Sequence, residues 1–197
     1  MPADPVGQQA LDRALDEKED LLLVYQPIHH ARTRKIVAAE ALLRQRRESG
    51  ELRETTIITA TAERGPELFV LDSITFRTAF TDAATWMAKT PHTRLNVNLS
   101  PREFQERDIL PRLESLVGEC KVDLTRINLE ITETSYIERP DETVELLAGL
   151  RELGIQLWLD DFGTGHSTLS HLMHLDVHGL KLPGEFVSDI GVNERSS

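Results

Sequence analysis

The chain has 197 residues, 40% of them hydrophobic and 28% charged, a mix that excludes collagen-like, coiled-coil and broadly disordered chains and predicts one folded core. Lys and Arg total 22 against 33 Asp and Glu, a net charge of −11, which disfavours binding to a nucleic acid polymer or to an anionic membrane. Cys120 stands alone, the N-terminal stretch lacks a signal peptide's apolar segment, and apolar runs such as Leu21 to Tyr25 are strand-sized, so a cytoplasmic chain without disulfides is expected.

Residues 1–10 read as a flexible start containing Pro and Gly, and residues 11–197 as one domain. Leu11, Ala14 and Leu15 recur at helical spacing among acidic residues. A strand from Leu21 to Gln26 ends at Pro27, and Ile36 to Leu43 is the next apolar run. The polar segment between them is too short for a crossover helix, so the pair is predicted to be an antiparallel hairpin. Helices are predicted over residues 56–63 and 67–89, punctuated by Gly65-Pro66, and a strand follows at Leu95 to Leu99. Ser100-Pro101-Arg102-Glu103 combines an N-cap Ser, a Pro at the first helical position and a Glu three residues after the cap. The series continues with a helix near 109–117, a strand at 127–131, a helix at 142–153 ended by Gly154, a strand at 156–159, a short helix near 169–172 and a strand at 179–182.

Strands alternating with helices predict an α/β fold with a parallel sheet, either open or closed. The polar residues choose between them. Glu40 and Arg44 come after the second strand, Asn98 on the third, Glu130 on the fourth, Asp160 and Asp161 on the fifth, and Lys181 on the sixth. An open sheet concentrates its site at one switch point, whereas a barrel brings every strand end to one mouth. The expected fold is therefore a TIM-like (β/α) barrel with an antiparallel first strand, about six of its eight strands being present.

Acidic groups at the ends of apolar strands need compensation, because an unpaired buried charge costs several kcal/mol. Glu40, Glu130, Asp160 and Asp161, with the amide oxygen of Asn98, offer only oxygen, which suits Mg²⁺ or Mn²⁺ rather than Zn²⁺ or copper. The set exceeds what one ion needs, and a two-metal site of this kind is suited to in-line displacement at phosphorus. Lys181 is placed to hold the attacking water or stabilise the transition state, and Arg44 to pair with a phosphate oxygen. Taken singly, an acid at a strand end is more often a cap or a surface ion-pair member. His166, His171, His174 and His178 crowd together in the sequence without a recognised zinc spacing, Trp86 and Trp158 read as packing residues, and Cys120, with no matched partner, reads as inert.

Tyr25-Gln26-Pro27, Glu40-Ala41-Leu42-Leu43-Arg44, Asn96-Val97-Asn98-Leu99-Ser100, Leu129-Glu130-Ile131-Thr132-Glu133 and Asp160-Asp161-Phe162-Gly163-Thr164-Gly165 stand in the order seen in the EAL-domain family. From about Leu11 to Ile190 the chain resembles a cyclic di-GMP phosphodiesterase domain. The resemblance implies metal-dependent hydrolysis of cyclic di-GMP to pGpG in bacterial second-messenger signalling. It implies that Glu40, Asn98, Glu130 and Asp160 hold metal, that Asp161 serves a second metal, and that Lys181 contacts the catalytic water. It further implies that Glu133 steadies the loop after the fifth strand and that Gln26 and Arg44 contact the dinucleotide. Two positions depart from the family pattern: Pro183 stands where an Asp is usual, and His166 where an aromatic is usual. The family also continues for two further strands, the seventh carrying a Glu. A second reading is thus a silent module that binds cyclic di-GMP or a protein partner, and unpaired strand edges favour a homodimer.

Overall fold

The computed structural model describes residues 5–16, 21–104, 106, 108–132, 140–164 and 177–188. The expected short helix near 169–172, Glu133, His166, His171 and His174 lie outside the described residues. The chain forms two compact units, Met1–Asn98 with Pro111–Asp123, and Leu99–Leu110 with Leu124–Ser197.

The first unit starts with helix α1 (Pro5–Asp16), whose Leu11 and Ala14 are fully buried. They meet Ile58 and Ala62 of α2 (Thr56–Ala62) and Leu68 and Leu71 of α3 (Glu67–Met87) in one apolar cluster. On α3 the buried positions Leu68, Leu71, Phe76, Ala79, Phe80, Ala83 and Met87 fall on one helical face, a stripe facing inward while Val70 faces out. Phe76 and Phe80 pack as a tilted pair with centroids 5.8 Å apart, and each burial stabilises by roughly 1.5–3 kcal/mol.

Strands β1 (Leu21–His29) and β2 (Ile36–Arg46) form the expected antiparallel hairpin. Its turn closes through His30 and Lys35, with Arg34 in the left-handed region at φ 58°. β1 runs through Pro27 instead of stopping there, because among the described residues β1 pairs only with β2, and an edge strand tolerates a missing N–H on its outer side. A three-residue strand, β3 (Leu52–Glu54), pairs with the far end of β2 and was not expected, since Leu-Arg-Glu has no alternating pattern to announce it. β4 (Arg94–Asn98) lies parallel to β2 over Ala38 to Ala41 only. Helix α5 (Ile109–Cys120) falls in this unit from Pro111 onward, and its Arg112 lies over the Phe69 ring of α3 and donates to Ser73 Oγ at 3.0 Å.

In the second unit, α4 (Pro101–Phe104) starts as the sequence predicts: the Glu103 N–H donates to Ser100 Oγ at 3.1 Å. The Leu99 N–H donates to the Glu130 carbonyl, joining this segment to β5 (Ile127–Thr132). Helix α6 (Pro140–Glu152) ends at Gly154, whose φ of 79° a glycine adopts without strain, and the Ile155 N–H closes the end on the Leu150 carbonyl. β6 (Gln156–Asp160) pairs in parallel with β5 and with β7 (Gly179–Leu180). β7 is shorter than expected, because Pro183 opens a five-residue helix, α7 (Gly184–Ser188), through the Phe186 N–H to Pro183 carbonyl bond. Parallel strands thus alternate with helices after the antiparallel start, as an α/β fold requires.

Candidate metal and phosphodiester site

Side chains along a strand alternate between faces, and β4 and β5 separate apolar from polar residues in this way. On β5, Ile127, Leu129 and Ile131 share one face and Asn128 and Glu130 the other, all of them buried. On β6, Leu157 and Leu159 oppose Trp158 and Asp160. The same period on β4 sets Leu95 and Val97 against Asn96 and Asn98.

In the first unit, Glu40 lies within β2, at the C-terminal end of the short stretch that pairs with β4, rather than after the strand. Its register partner on β4 is Asn96, and the Asn98 amide, two residues further on the same face, donates to Glu40 Oε1 at 3.3 Å. Gln26 is directly opposite Glu40 on β1 and exposed. Cross-strand partners share a face, so Gln26 lies on the same side of the hairpin as Glu40. Arg44 is also within β2, opposite Leu22, and its guanidinium donates to the Leu43 carbonyl at 2.8 Å.

The second unit carries the more concentrated cluster. Glu130 has a side chain wholly removed from solvent. The ammonium of Lys181 lies 2.7 Å from Glu130 Oε2 and 3.1 Å from Asp160 Oδ2, donating to both. Glu130 and Asp160 each offer a carboxylate oxygen, the two within 4.8 Å of one another. The register explains the meeting: Glu130 pairs with Trp158 and Thr132 with Asp160, which sets Asp160 one same-face step above Glu130. Lys181 comes just past the end of β7, and its N–H donates to the Leu159 carbonyl at 2.7 Å, which holds its backbone beside Asp160.

The turn after β6 is built around Asp161, which is exposed and left-handed at φ 52°. Its N–H donates to Asp160 Oδ1 at 2.9 Å, so the two oxygens of Asp160 serve the turn and Lys181 respectively. Thr164 closes the turn on the Asp161 carbonyl, and the Phe162 N–H donates to the Lys181 carbonyl at 3.0 Å. Gly163 has φ 98°, and a Cβ there would lie 3.3 Å from the Phe186 ring. Sequence reasoning missed Phe186, which exposes much of its surface yet braces this turn. It also missed Gly179, where a Cβ would lie 2.5 Å from the Trp158 ring: the glycine lets β7 approach a strand that carries an inward indole. The only signal for either was the glycine itself. His178, one of the clustered histidines, accepts the Leu157 N–H on Nδ1 at 3.3 Å, an ordinary strand-edge contact.

Far from these carboxylates in sequence, the Tyr25 hydroxyl donates to Asp82 at 2.7 Å, tying β1 to α3. Burial, and then this carboxylate, push the phenol well above its ordinary pKa. Among the described residues, no helix is long and apolar enough to cross a membrane.

A sequence model described as the EAL domain matches residues 8–197. The signaling protein YkoW of Bacillus subtilis is 29% identical over 97% of this chain and 24% of its own length. The probable cyclic di-GMP phosphodiesterase PdeB of Escherichia coli is 32% identical over 87% of this chain and 33% of its own length. The chain therefore spans about a quarter to a third of these relatives. Among solved structures, the PaMucR phosphodiesterase in complex with c-di-GMP superposes with a TM-score of 0.87 at 23% identity, covering 97% of this chain and 77% of that one. The FimX EAL domain from Pseudomonas aeruginosa bound to c-di-GMP gives 0.80 at 22% identity, covering 96% and 76%. These likenesses establish the α/β, TIM-like fold with its antiparallel first strand. With the family's sequence pattern running through nearly every residue, this chain belongs to the EAL domain family.

Proposed function

We propose that the chain is a cyclic di-GMP-specific phosphodiesterase domain that hydrolyses one phosphodiester bond of cyclic di-GMP to give pGpG, with Mg²⁺ or Mn²⁺ at a two-metal site. The supporting observation is the buried Glu130 joined through Lys181 to Asp160 at neighbouring strand ends. Membership of the EAL family and relatives named as cyclic di-GMP phosphodiesterases give the cluster its substrate.

The donors fit a hard divalent cation, being all oxygen, with one of them on a carboxylate buried away from water. On this reading Glu40, Asn98, Glu130 and Asp160 would hold metal, and Asp161 would serve the second ion. Bound there, the ions would supply Lewis acidity toward water and toward the phosphate. The chain's own groups do the rest. Gln26 and Arg44 bind the dinucleotide, Arg44 by leaving the Leu43 carbonyl for a phosphate oxygen. Lys181 orients the attacking water, and the Asp161 to Thr164 turn fixes Asp160. As the water oxygen joins phosphorus and sheds a proton, the P–O3′ bond breaks and the leaving O3′ takes up one proton, so water is added across the bond and the product carries a 5′-phosphate and a free 3′-hydroxyl. Glu133 is assigned the support of this turn. Signalling in the bacterial cytoplasm, with a homodimer or a protein partner, completes the reading.

Pro183 favours a second reading, a module that binds cyclic di-GMP without cleaving it, because a proline opening α7 offers no carboxylate beside Lys181. Product analysis separates the two. Purified chain with Mn²⁺ should release pGpG, and Glu130→Gln should lower the rate by more than about 100-fold, since even support residues around a metal cost 10–100-fold. Binding of the dinucleotide by calorimetry with no pGpG formed would establish the module instead.

A further inference from the structure

The Lys181 ammonium takes up the very oxygens that a divalent cation would use. It bridges Glu130 Oε2 at 2.7 Å and Asp160 Oδ2 at 3.1 Å, with one of these carboxylates completely shielded from solvent and the other mostly so. Such a carboxylate cannot remain charged and unpaired in a dry interior, and an ammonium at hydrogen-bond distance is the smallest solution. The backbone keeps it in place: the Lys181 N–H is bonded to the Leu159 carbonyl, and its own carbonyl accepts from Phe162. The stem is not fully packed, since the side chain keeps 23% of its exposure, and its four flexible carbons let the head withdraw without moving the strand.

We propose that Lys181 is the place-holding counter-ion of the metal-free protein. It preserves the Glu130 and Asp160 geometry until a divalent cation arrives, and opposes that cation by its charge. The inference rests on the metal reading above and adds a role that Lys181 performs before any substrate is present. Two effects follow with opposite signs. Removing the ammonium weakens the metal-free fold, because the buried Glu130 carboxylate loses its contact with this cation. The same removal strengthens cation binding, because the competing positive charge is gone and like charges a few ångströms apart in a partly dry site repel strongly.

The experiment measures Mn²⁺ binding and thermal unfolding at one neutral pH for the wild type, Lys181→Met, Lys181→Gln and Lys181→Arg. Binding is followed by the spin-resonance signal of free Mn²⁺, and unfolding by calorimetry with EDTA and with Mn²⁺. Lys181→Met and Lys181→Gln should unfold several degrees earlier in EDTA, bind Mn²⁺ at least about tenfold more tightly, and gain more from Mn²⁺ than the wild type does. Lys181→Arg keeps the charge and should restore the metal-free unfolding temperature without the gain in affinity. If Lys181→Met does not fold, Lys181→Gln and Lys181→Arg carry the comparison. Mn²⁺ affinity that is unchanged or lower in the neutral variants overturns the place-holder role while leaving the metal reading intact. Absence of Mn²⁺ binding in every protein overturns both.

Discussion

Tyr25 shows how far one polar contact can be argued from its own chemistry. Its hydroxyl donates to Asp82 at 2.7 Å, and the phenol is pushed up first because burial penalises the phenolate and then because that phenolate would face the Asp82 carboxylate. Hydrogen bonds to charged acceptors contribute about 1.5–3 kcal/mol, so Tyr25→Phe should destabilise by about 2 kcal/mol in chemical denaturation, with no change in slope. A loss under about 0.5 kcal/mol would mean that Asp82 finds another donor at little cost. This pair was not legible in the sequence, where Tyr25 and Asp82 are 57 positions apart and the motif that holds Tyr25 points to no partner on a helix. Glu40, Glu130 and Asp160 stand out in the sequence as candidates because each is an acid within or at the end of an apolar strand, where a buried polar side chain is expensive, and Asn98 because it ends the strand between them. Lys181 was legible as a cation, but its bond to Glu130 was not, since the register of β5, β6 and β7 decides it.

At the scale of elements, hydrophobic runs and caps located α2, α3, α5, α6 and the parallel strands, whereas α7 was not expected and the other failures occurred where the signal is carried by pairing. β3 exists because the end of β2 offers open backbone groups, and β1 outruns Pro27 because an edge can spare one N–H. β7 illustrates the cost of a close strand approach. A methyl group on Gly179 would press into the Trp158 ring, so Gly179→Ala should destabilise by about 2 kcal/mol, seen as a fall in Tm of roughly 4–8 °C. Because Lys181 follows two residues later, the variant should lose the proposed phosphodiesterase activity beyond what unfolding explains. The end of α2 supplies a pH test. Desolvation first, and then the Asp72 carboxylate, raise the pKa of Glu63 at the C-terminal cap, with Arg64 opposing. A carboxyl raised on folding gives its full stability below its unfolded pKa, near 4.3, and loses it as pH climbs through the folded value. Glu63→Gln should therefore raise stability at pH 7 by about 0.5 kcal/mol, and the gain should vanish below about pH 4. A gain that grows on acidification would have the sign wrong.

For the whole molecule, the net charge of −11 separates two kinds of ionic stabilisation. Diffuse self-repulsion among 33 acids against 22 bases is relieved by any salt, because the screening length shortens as ionic strength rises. Raising NaCl from about 0.05 to about 0.5 M should thus raise Tm smoothly in the wild type and in Glu130→Gln alike. A site that holds Mg²⁺ through particular oxygens adds a term governed by mass action, about 2.7 kcal/mol when the free ion exceeds its Kd a hundredfold. At matched ionic strength MgCl₂ should then stabilise the wild type beyond NaCl, saturating with concentration, whereas Glu130→Gln should follow the NaCl curve in both salts. The comparison is informative because the variant differs by one acid and barely alters the self-repulsion. If MgCl₂ and NaCl trace one curve for the wild type, the acids at the strand ends answer to screening alone, and the chemistry proposed for them loses its cation.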